Sequence, residues 1–348
     1  MNIQDSYIYF AIVAVGMTLL LFLLRQVAPH VGLVDIPNER KIHSKPIPLI
    51  GGVALFIMSI VALLMTNNVT SFHLYLLIAT GLVVAVGLLD DVFQLSALWR
   101  FAIQALASLA LILLTGVKLY TFGELLYPGW LVDLGYLSVP ITVFGVVGVI
   151  NALNMADGID GLAAMTFIIP VIVLIYISGL NDFSLWLLNV VVCLFIFIAF
   201  NKSKRFKVFL GDNGSLFLGF ILSWLLVYYS QGQKAIITPV MALFLVGLPV
   251  FDTIFVMLRR IRKGVSPFKP DKTHLHHLFL AFNFTQNQVL FIIASLQISV
   301  MAIGLTLKAS GVPEFYHFYV FLFLSVAYYF ILSRSWKKAQ NTCKIPVK

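Results

Sequence analysis

Long apolar runs alternate with short polar segments along almost the whole chain. About eleven of these runs have the length that crosses a bilayer as a helix, roughly 17–25 residues. They lie at 7–24, 49–66, 72–89, 100–116, 138–153, 162–180, 183–200, 214–230, 235–258, 288–307 and 315–333. The longest segment between them, 259–287, has no room for a soluble domain. The pattern therefore predicts an all-α polytopic membrane protein with a single domain over 1–336.

Composition supports this class. Of the 348 residues, 61% are hydrophobic and 11% are charged, against about 45–50% and about 25% in soluble domains. These values exclude an ordinary cytosolic enzyme and a disordered chain, and the two cysteines form no disulfide framework. The net charge of +9 does not indicate nucleic acid as a partner, because the basic residues flank apolar runs.

The distribution of basic residues predicts an orientation. Eleven spans place the termini on opposite sides, and every Lys and Arg except Lys118, Lys234 and Lys308 then falls on one side. Cytoplasmic segments carry this excess. We therefore expect an outside N-terminus and a cytoplasmic C-terminus, with 337–348 as a disordered basic cytoplasmic tail.

Most acids fall on the predicted cytoplasmic side, at the ends of apolar runs. Carboxylates near hydrocarbon are costly and are candidates for function. Asp90 and Asp91 end the third run, where a divalent cation or a shared proton would relieve their repulsion. Two solvated acids at a helix end are the alternative.

A second polar cluster joins the fifth and sixth runs. Asn151, Asn154, Asp157 and Asp160 offer amides and carboxylates within ten residues, and a glycine follows each Asp. This set suits a nucleotide base, a sugar or a hydrated metal. The alternative is a polar turn with helix caps.

Two further acids stand alone. Asp212 opens the eighth run before Asn213 and Gly214, as a magnesium ligand or as a helix cap. Asp252 lies inside the ninth run, where it is either a structural acid or, in a secondary transporter, a residue of the transport path.

Three histidines, His274, His276 and His277, occupy the longest predicted cytoplasmic segment. Zinc is disfavoured because no Cys or Glu stands at ligand spacing. Arg259 and Lys272 add to the positive potential nearby, which favours a clamp for phosphates; a solvated basic loop is the alternative. Metal-binding acids, cations and a bilayer together indicate an enzyme that joins a cytosolic phosphorylated compound to a lipid.

These motifs, in this order over about residues 35 to 280, resemble the polyprenyl-phosphate N-acetylhexosamine-1-phosphate transferase family, in its WecA/TagO-type branch. The first predicted cytoplasmic loop, from Asp35 to Gly52, also resembles that branch. The resemblance implies eleven spans in the bacterial cytoplasmic membrane and an active site on the cytoplasmic face. A homodimer is an expectation from the family.

The resemblance also implies a reaction. N-acetylhexosamine 1-phosphate would pass from a UDP-sugar to undecaprenyl phosphate, releasing UMP and starting a cell-envelope polysaccharide. N-acetylglucosamine is the expected sugar, and N-acetylgalactosamine, N-acetylquinovosamine and N-acetylfucosamine are the alternatives. The expected cofactor is Mg²⁺, with Mn²⁺ as a possible substitute.

Roles carry over by motif. Asp212 and Asp91 would hold the metal, and Asp90 would deprotonate the lipid phosphate for direct attack, the rival being a covalent aspartyl intermediate. The expected catalytic set is Asp90, Asp91, Asp157, Asp160, His274, His276 and His277. The expected substrate-binding set is Arg40, Lys45, Asn151, Asn154, Phe209, Arg259 and Lys272, with Phe209 stacking on uracil.

The chain departs from the family pattern at two places. Position 94 is Gln, where several relatives have a third Asp, so that carboxylate is not essential to the general reaction. The first loop reads Lys45-Pro-Ile-Pro48, which disfavours a UDP-MurNAc-pentapeptide substrate.

Overall fold

The structure, a computed structural model, describes residues 3–37, 45–66, 69–267 and 273–343. Its α-helices are α1 (Ile3–Val27), α2 (Gly51–Leu64), α3 (Ser71–Phe93), α4 (Ala97–Thr115), α5 (Ser138–Ala156), α6 (Leu162–Ser178), α7 (Asp182–Asn201), α8 (Asp212–Ser230), α9 (Pro239–Leu245), α10 (Gly247–Arg262), α11 (Leu275–Ala281), α12 (Gln286–Ala309) and α13 (Glu314–Cys343). Two short strands, β1 (Val34–Asp35) and β2 (Ile47–Pro48), pair antiparallel.

The helices confirm the all-α polytopic membrane class. In the described part of the chain, 8 helices are long and apolar enough to cross a membrane. The pair α9 and α10 passes the same test together but is bent by 78°, and α2 and α6 are shorter apolar helices. In order along the chain these elements coincide with the eleven predicted runs. The number of crossings and their orientation stay predictions.

The outward faces of the helices carry large apolar side chains. Leu113, Phe144 and Phe291 are exposed to 75%, 80% and 74% of their area. Water would penalise such exposure by roughly 25 cal/mol per Å², whereas lipid does not. These faces are those of helices that lie in hydrocarbon.

Contacts within the chain form two compact units. The first contains the described residues of 1–116 and 171–224. In it α1, α2 and α7 pack on one another, and α3 packs on α4. The indole N–H of Trp186 donates to the carbonyl of Ser59 over 2.9 Å, which satisfies a buried donor between α7 and α2.

The paired strands β1 and β2 of the first unit form hydrogen bonds with the loop that precedes α8. Leu49 forms a parallel bridge with Phe209. The amide of Phe209 donates to Pro48 over 2.8 Å, and those of Gly51 and Gly52 donate to Phe209 and Leu210 over 3.0 Å each. The loop that leads into α8 is therefore held beside the start of α2.

The second unit contains the described residues of 117–170 and 225–348. Here α10 packs on α5, α12 and α13, while α11 packs on α12 and α13. Its core includes Phe255 and Val256 of α10, Val289 of α12 and Trp336 of α13. The short α11, which carries two of the histidines, is thus seated on long helices.

The structure corrects the expectation of a disordered tail from residue 337. The last helix continues to Cys343, and Ala339 is fully buried in the core of the second unit. Packing of this small residue and of Trp336 against α10 and α11 stabilises the extra turns, which basic composition alone did not indicate. Residues 344–348 lie outside the described part.

Gly87 of α3 provides a test of this packing. A Cβ at this position would lie 2.4 Å from Cα and 2.6 Å from the backbone nitrogen of Asn213. Backbone at that distance has to move, so Gly87→Ala should destabilise the protein by about 1–3 kcal/mol and lower the thermal unfolding midpoint in detergent. Gly145→Ala is the control, because nothing lies within 4 Å of a Cβ there. Equal midpoints for both variants would contradict the packing.

Candidate active site

The first unit carries an acidic cluster of Asp90, Asp91 and Asp212 around Arg100. Asp90 and Asp91 lie in the last turn of α3, and Arg100 lies in the first turn of α4. Arg100 Nη1 donates to Asp90 Oδ2 over 2.8 Å and lies 3.6 Å from Asp212 Oδ2. Asp90 is 6% exposed and Asp212 is 38% exposed. The cluster therefore has one buried carboxylate paired with an arginine and one that faces outward.

Asp91 ties α3 to the start of α8. Its Oδ1 accepts the amide of Asp212 over 2.8 Å, and its Oδ2 accepts the amide and the side-chain Nδ2 of Asn213 over 3.2 and 2.5 Å. The first N–H groups of a helix have no partner within the helix, and a carboxylate satisfies them especially well. Asp91 thereby fixes the position of Asp212.

The loop before α8 fits this arrangement only with glycine at position 211. Gly211 has a φ of +76°, and a Cβ there would lie 2.7 Å from Asp91 Oδ2. The preceding Phe209 is half-buried, and the Lys207 ammonium lies 5.4 Å from the centre of its ring. Lys45 is exposed next to β2. The first unit thus holds Asp90, Asp91, Phe209 and Asp212 on three connected segments.

The second unit carries a histidine cluster of His274, His276 and His277 with Asp252. Asp252 Oδ2 lies 2.7 Å from His274 Nδ1, and Oδ1 accepts the Leu275 amide over 3.0 Å and the Tyr328 hydroxyl over 2.9 Å. The rings of His274 and His276 are stacked, 5.9 Å apart at 4°, and that of His277 is 4.1 Å from His276. One acid of α10 thus anchors the start of the histidine segment.

His276 is the most constrained member of the cluster. It is 3% exposed, and burial, with His277 and His274 as the next causes, lowers its pKa well below 6.5. It is therefore neutral near pH 7 and contributes hydrogen bonds, whereas the sequence suggested a cationic clamp. Within the described residues its Nε2 has no hydrogen-bond partner.

The segment 151–162 meets this cluster through Gly158. A Cβ on Gly158 would lie 2.0 Å from His276 Nε2, so any other residue there would displace the His276 ring. Asn151 Nδ2 donates to Val147 over 2.7 Å, and Asp157 caps α5 and is exposed. Asn154 and Asp160 are half-buried on either side. Two motifs that are far apart in the sequence therefore lie together in the second unit.

Three further cations were predicted to bind substrate: Arg40, Arg259 and Lys272. The Arg259 guanidinium lies 5.0 Å from the centre of the Trp336 ring, a cation–π contact with α13. Arg40 and Lys272 lie outside the described residues, so their substrate-binding role stays a prediction.

The structure adds residues that the sequence did not single out. Arg100 counted only as an orientation charge, although it is the one charged residue of α4 and follows Asp90 by ten positions. The sequence suggested Asn213 as a helix cap and Gly158 as a site of close backbone approach, but it did not predict their contacts with Asp91 and His276. Tyr328 had no signal, because aromatic residues are common in its apolar run.

One protein-family model matches the middle of the chain. Residues 73–230 match the model of glycosyl transferase family 4, a range that contains the acidic cluster and the segment 151–162. The range also includes the whole of α3 to α8, apart from the first two residues of α3.

Curated proteins extend the match over about nine-tenths of the chain. A Yersinia pestis protein is 38% identical over 92% of this chain and 89% of its own length. A Salmonella typhi protein is 36% identical over 93% and 90%, and a Haemophilus influenzae protein is 36% identical over 92% and 92%. Each is named undecaprenyl-phosphate alpha-N-acetylglucosaminyl 1-phosphate transferase. The chain belongs to this family of membrane phosphotransferases, which confirms the resemblance seen in its motifs.

The buried neutral His276 predicts a pH dependence of stability. Between its folded pKa and 6.5 the unfolded chain binds a proton at this site that the folded protein does not bind. The free energy of unfolding therefore decreases as the pH falls below about 6.5. His276→Gln should lose less stability than the wild type between pH 7.5 and 5.5, measured by thermal unfolding.

The exposed His30 supplies the control. His30→Gln should keep the pH dependence of the wild type. A fall of equal size in His276→Gln and the wild type would show that His276 is not held neutral by the fold.

Proposed function

We propose that the protein transfers N-acetylglucosamine 1-phosphate from UDP-N-acetylglucosamine to undecaprenyl phosphate, as the initiating step of a cell-envelope polysaccharide. The proposal rests on the shared name of relatives that match about nine-tenths of both chains. The two clusters support it, because carboxylates, amides and histidines suit a diphosphate donor with a sugar. The chemistry would take place at the cytoplasmic face of the inner membrane, where nucleotide-sugars are found.

In the proposed step an oxygen of the lipid phosphate attacks the β-phosphorus of the UDP-sugar. The bond from the β-phosphorus to the bridging oxygen breaks, and UMP leaves with the electron pair. The product is undecaprenyl diphosphate linked to the sugar. This direct attack needs no covalent intermediate on the protein.

The hydrogen bonds of the acidic cluster favour Asp90 over Asp91 as the group that accepts the proton of the lipid phosphate. Both oxygens of Asp91 already accept N–H groups from the start of α8. Asp90 is instead paired with the Arg100 guanidinium through Oδ2. Asp91 then acts by positioning Asp212.

The donor set of the cluster fits magnesium. Mg²⁺ is usually held by one or two carboxylates together with substrate phosphates and water. Asp212 is the outward-facing carboxylate, and it is the residue that would hold the ion; Asp91, the second ligand predicted from the sequence, has both oxygens engaged by the start of α8 and would support the ion through Asp212. No group of three or more His, Cys, Asp or Glu among the described residues is arranged to hold a metal alone, so the proposed ion would depend on the diphosphate and water for its other ligands. When bound, the ion neutralises the diphosphate and stabilises the leaving UMP.

The second unit would contact the nucleotide-sugar. Asn154, Asp157 and Asp160 provide amide and carboxylate groups, and the histidines provide ring nitrogens. Because His276 is neutral, positive charge toward the phosphates has to come from the metal and the basic side chains. Arg100 contributes to that charge in the first unit, and Phe209 remains the proposed stacking partner of uracil.

A panel of donors tests the function. Purified protein should transfer labelled sugar phosphate from UDP-N-acetylglucosamine to undecaprenyl phosphate, in a reaction that requires Mg²⁺ and accepts Mn²⁺. UDP-N-acetylgalactosamine, UDP-N-acetylquinovosamine and UDP-N-acetylfucosamine should give much less labelled lipid. Transfer from one of these instead would keep the reaction and change the sugar. No labelled lipid from any donor would refute the proposal.

Asp212→Asn tests the magnesium site. The change keeps the size of the side chain but removes its charge, so activity should fall by at least ~100-fold, in the range for loss of a group that stabilises a phosphoryl-transfer transition state. Thermal unfolding should show a folded protein. Asp133→Asn is the control, because Asp133 is an exposed acid whose side chain, in the described part of the chain, accepts the Gly135 amide. Retained activity with an unchanged Mg²⁺ requirement would rule out Asp212 as the ligand.

A further inference from the structure

Asp252 is an acid inside an apolar helix with no role in the steps above. Its side chain is 13% exposed, and burying a carboxylate costs several kcal/mol unless donors satisfy it. Three donors do so: His274 Nδ1 at 2.7 Å, the Leu275 amide at 3.0 Å and the Tyr328 hydroxyl at 2.9 Å. They come from the start of α11 and from α13.

The contact with His274 determines which nitrogen of that ring carries a proton. An ionised carboxylate can only accept, so His274 Nδ1 has to be the N–H donor. The hydrogen bond made by one ring nitrogen fixes the state of the other. Nε2 is therefore the nitrogen of His274 that can form a hydrogen bond with a substrate.

The same carboxylate also fixes the orientation of the ring. Asp252 holds the side chain of His274 with one oxygen and the backbone of Leu275 with the other. The ring can neither rotate nor shift along the helix without losing one of these bonds. It also stacks on His276 at 4° between planes, and His276 in turn contacts Gly158 of the other motif. The order of the histidine cluster thus begins at Asp252.

We propose that Asp252 is a positioning residue for the transfer reaction: it holds His274 so that Nε2, the ring nitrogen left to accept a hydrogen bond, is presented to a hydroxyl or amide N–H of the nucleotide-sugar. This inference rests on the proposed function. It differs from an ion-coupling role for Asp252, because both carboxylate oxygens are engaged by donors of the protein itself. A buried aspartate orients a catalytic histidine by the same kind of hydrogen bond in other enzymes.

Two single variants separate this role from structural support. Asp252→Asn has one accepting oxygen for three donors and no charge, so kcat for transfer from UDP-N-acetylglucosamine should fall about 10- to 100-fold, with KM changed less than about threefold. Tyr328→Phe is the matched control: it removes one hydrogen bond to the same carboxylate and leaves the His274 contact intact. It should keep kcat within about threefold, even where its thermal unfolding midpoint falls as far as that of Asp252→Asn.

A double variant tests whether Asp252 acts through His274. His274→Ala removes the ring that Asp252 positions, so Asp252→Asn combined with His274→Ala should have the kcat of His274→Ala alone, within about twofold. Multiplied effects would overturn the proposal. So would a Tyr328→Phe variant that loses kcat in parallel with Asp252→Asn.

Nitrogen-15 NMR of histidine-labelled protein gives a readout that does not require turnover. The His274 signal, assigned by its loss in His274→Ala, should show a protonated Nδ1 in the wild type and in Tyr328→Phe, and an altered pattern in Asp252→Asn. A wild-type Nδ1 without a proton would overturn the proposal. Inactive wild-type protein with the expected signal would refute the proposed reaction, and with it the kinetic role, while leaving the Asp252–His274 contact established.

Discussion

Carboxylates in a chain this apolar have to find donors on other segments, and the arrangement of both clusters depends on how they do so. Asp91 satisfies the first N–H groups of α8, and Asp252 satisfies the first N–H group of α11 together with a ring nitrogen and a hydroxyl. In each unit one acid thereby fixes the start of a helix. Asp212 and His276, which we propose to act in the reaction, stand at those helix starts, so the two structural acids determine the positions of both side chains.

Close backbone approach is the second constraint, and it explains several glycines near the clusters. At Gly52 a Cβ would lie 2.1 Å from Asn213 Oδ1. Gly211 combines a left-handed φ with a close Asp91 oxygen, and Gly158 faces His276 in the second unit. Glycine has no Cβ to exclude these neighbours. The polar groups can therefore come into direct contact. Long polar side chains, whose hydrogen bonds an apolar interior could not satisfy, are not needed to bridge them.

The sequence predicted more of the fold than of the site's internal order. Apolar runs located every long helix, because burial in lipid requires a continuous apolar length. The runs could not show that Asp90 and Asp91 face different partners, since adjacent helical residues point about 100° apart and only the packing of α4 and α8 decides what each meets. Arg100 looked like an orientation charge, and Tyr328 lies 76 residues from the acid it contacts, beyond any local pattern.

The broken helix at α9 and α10 shows how one feature can support two hypotheses. A break followed by a buried acid is typical of transporters, and the sequence alone could not exclude that reading of Asp252. Gly247 and Pro249 follow the break, and the 78° bend gives α10 a direction of its own. In that direction Asp252 contacts His274 and Tyr328. Their donor groups satisfy its carboxylate without a bound ion. The bend therefore places an acid where it can orient a histidine. In this chain, a broken helix followed by a buried acid is a feature of an enzyme.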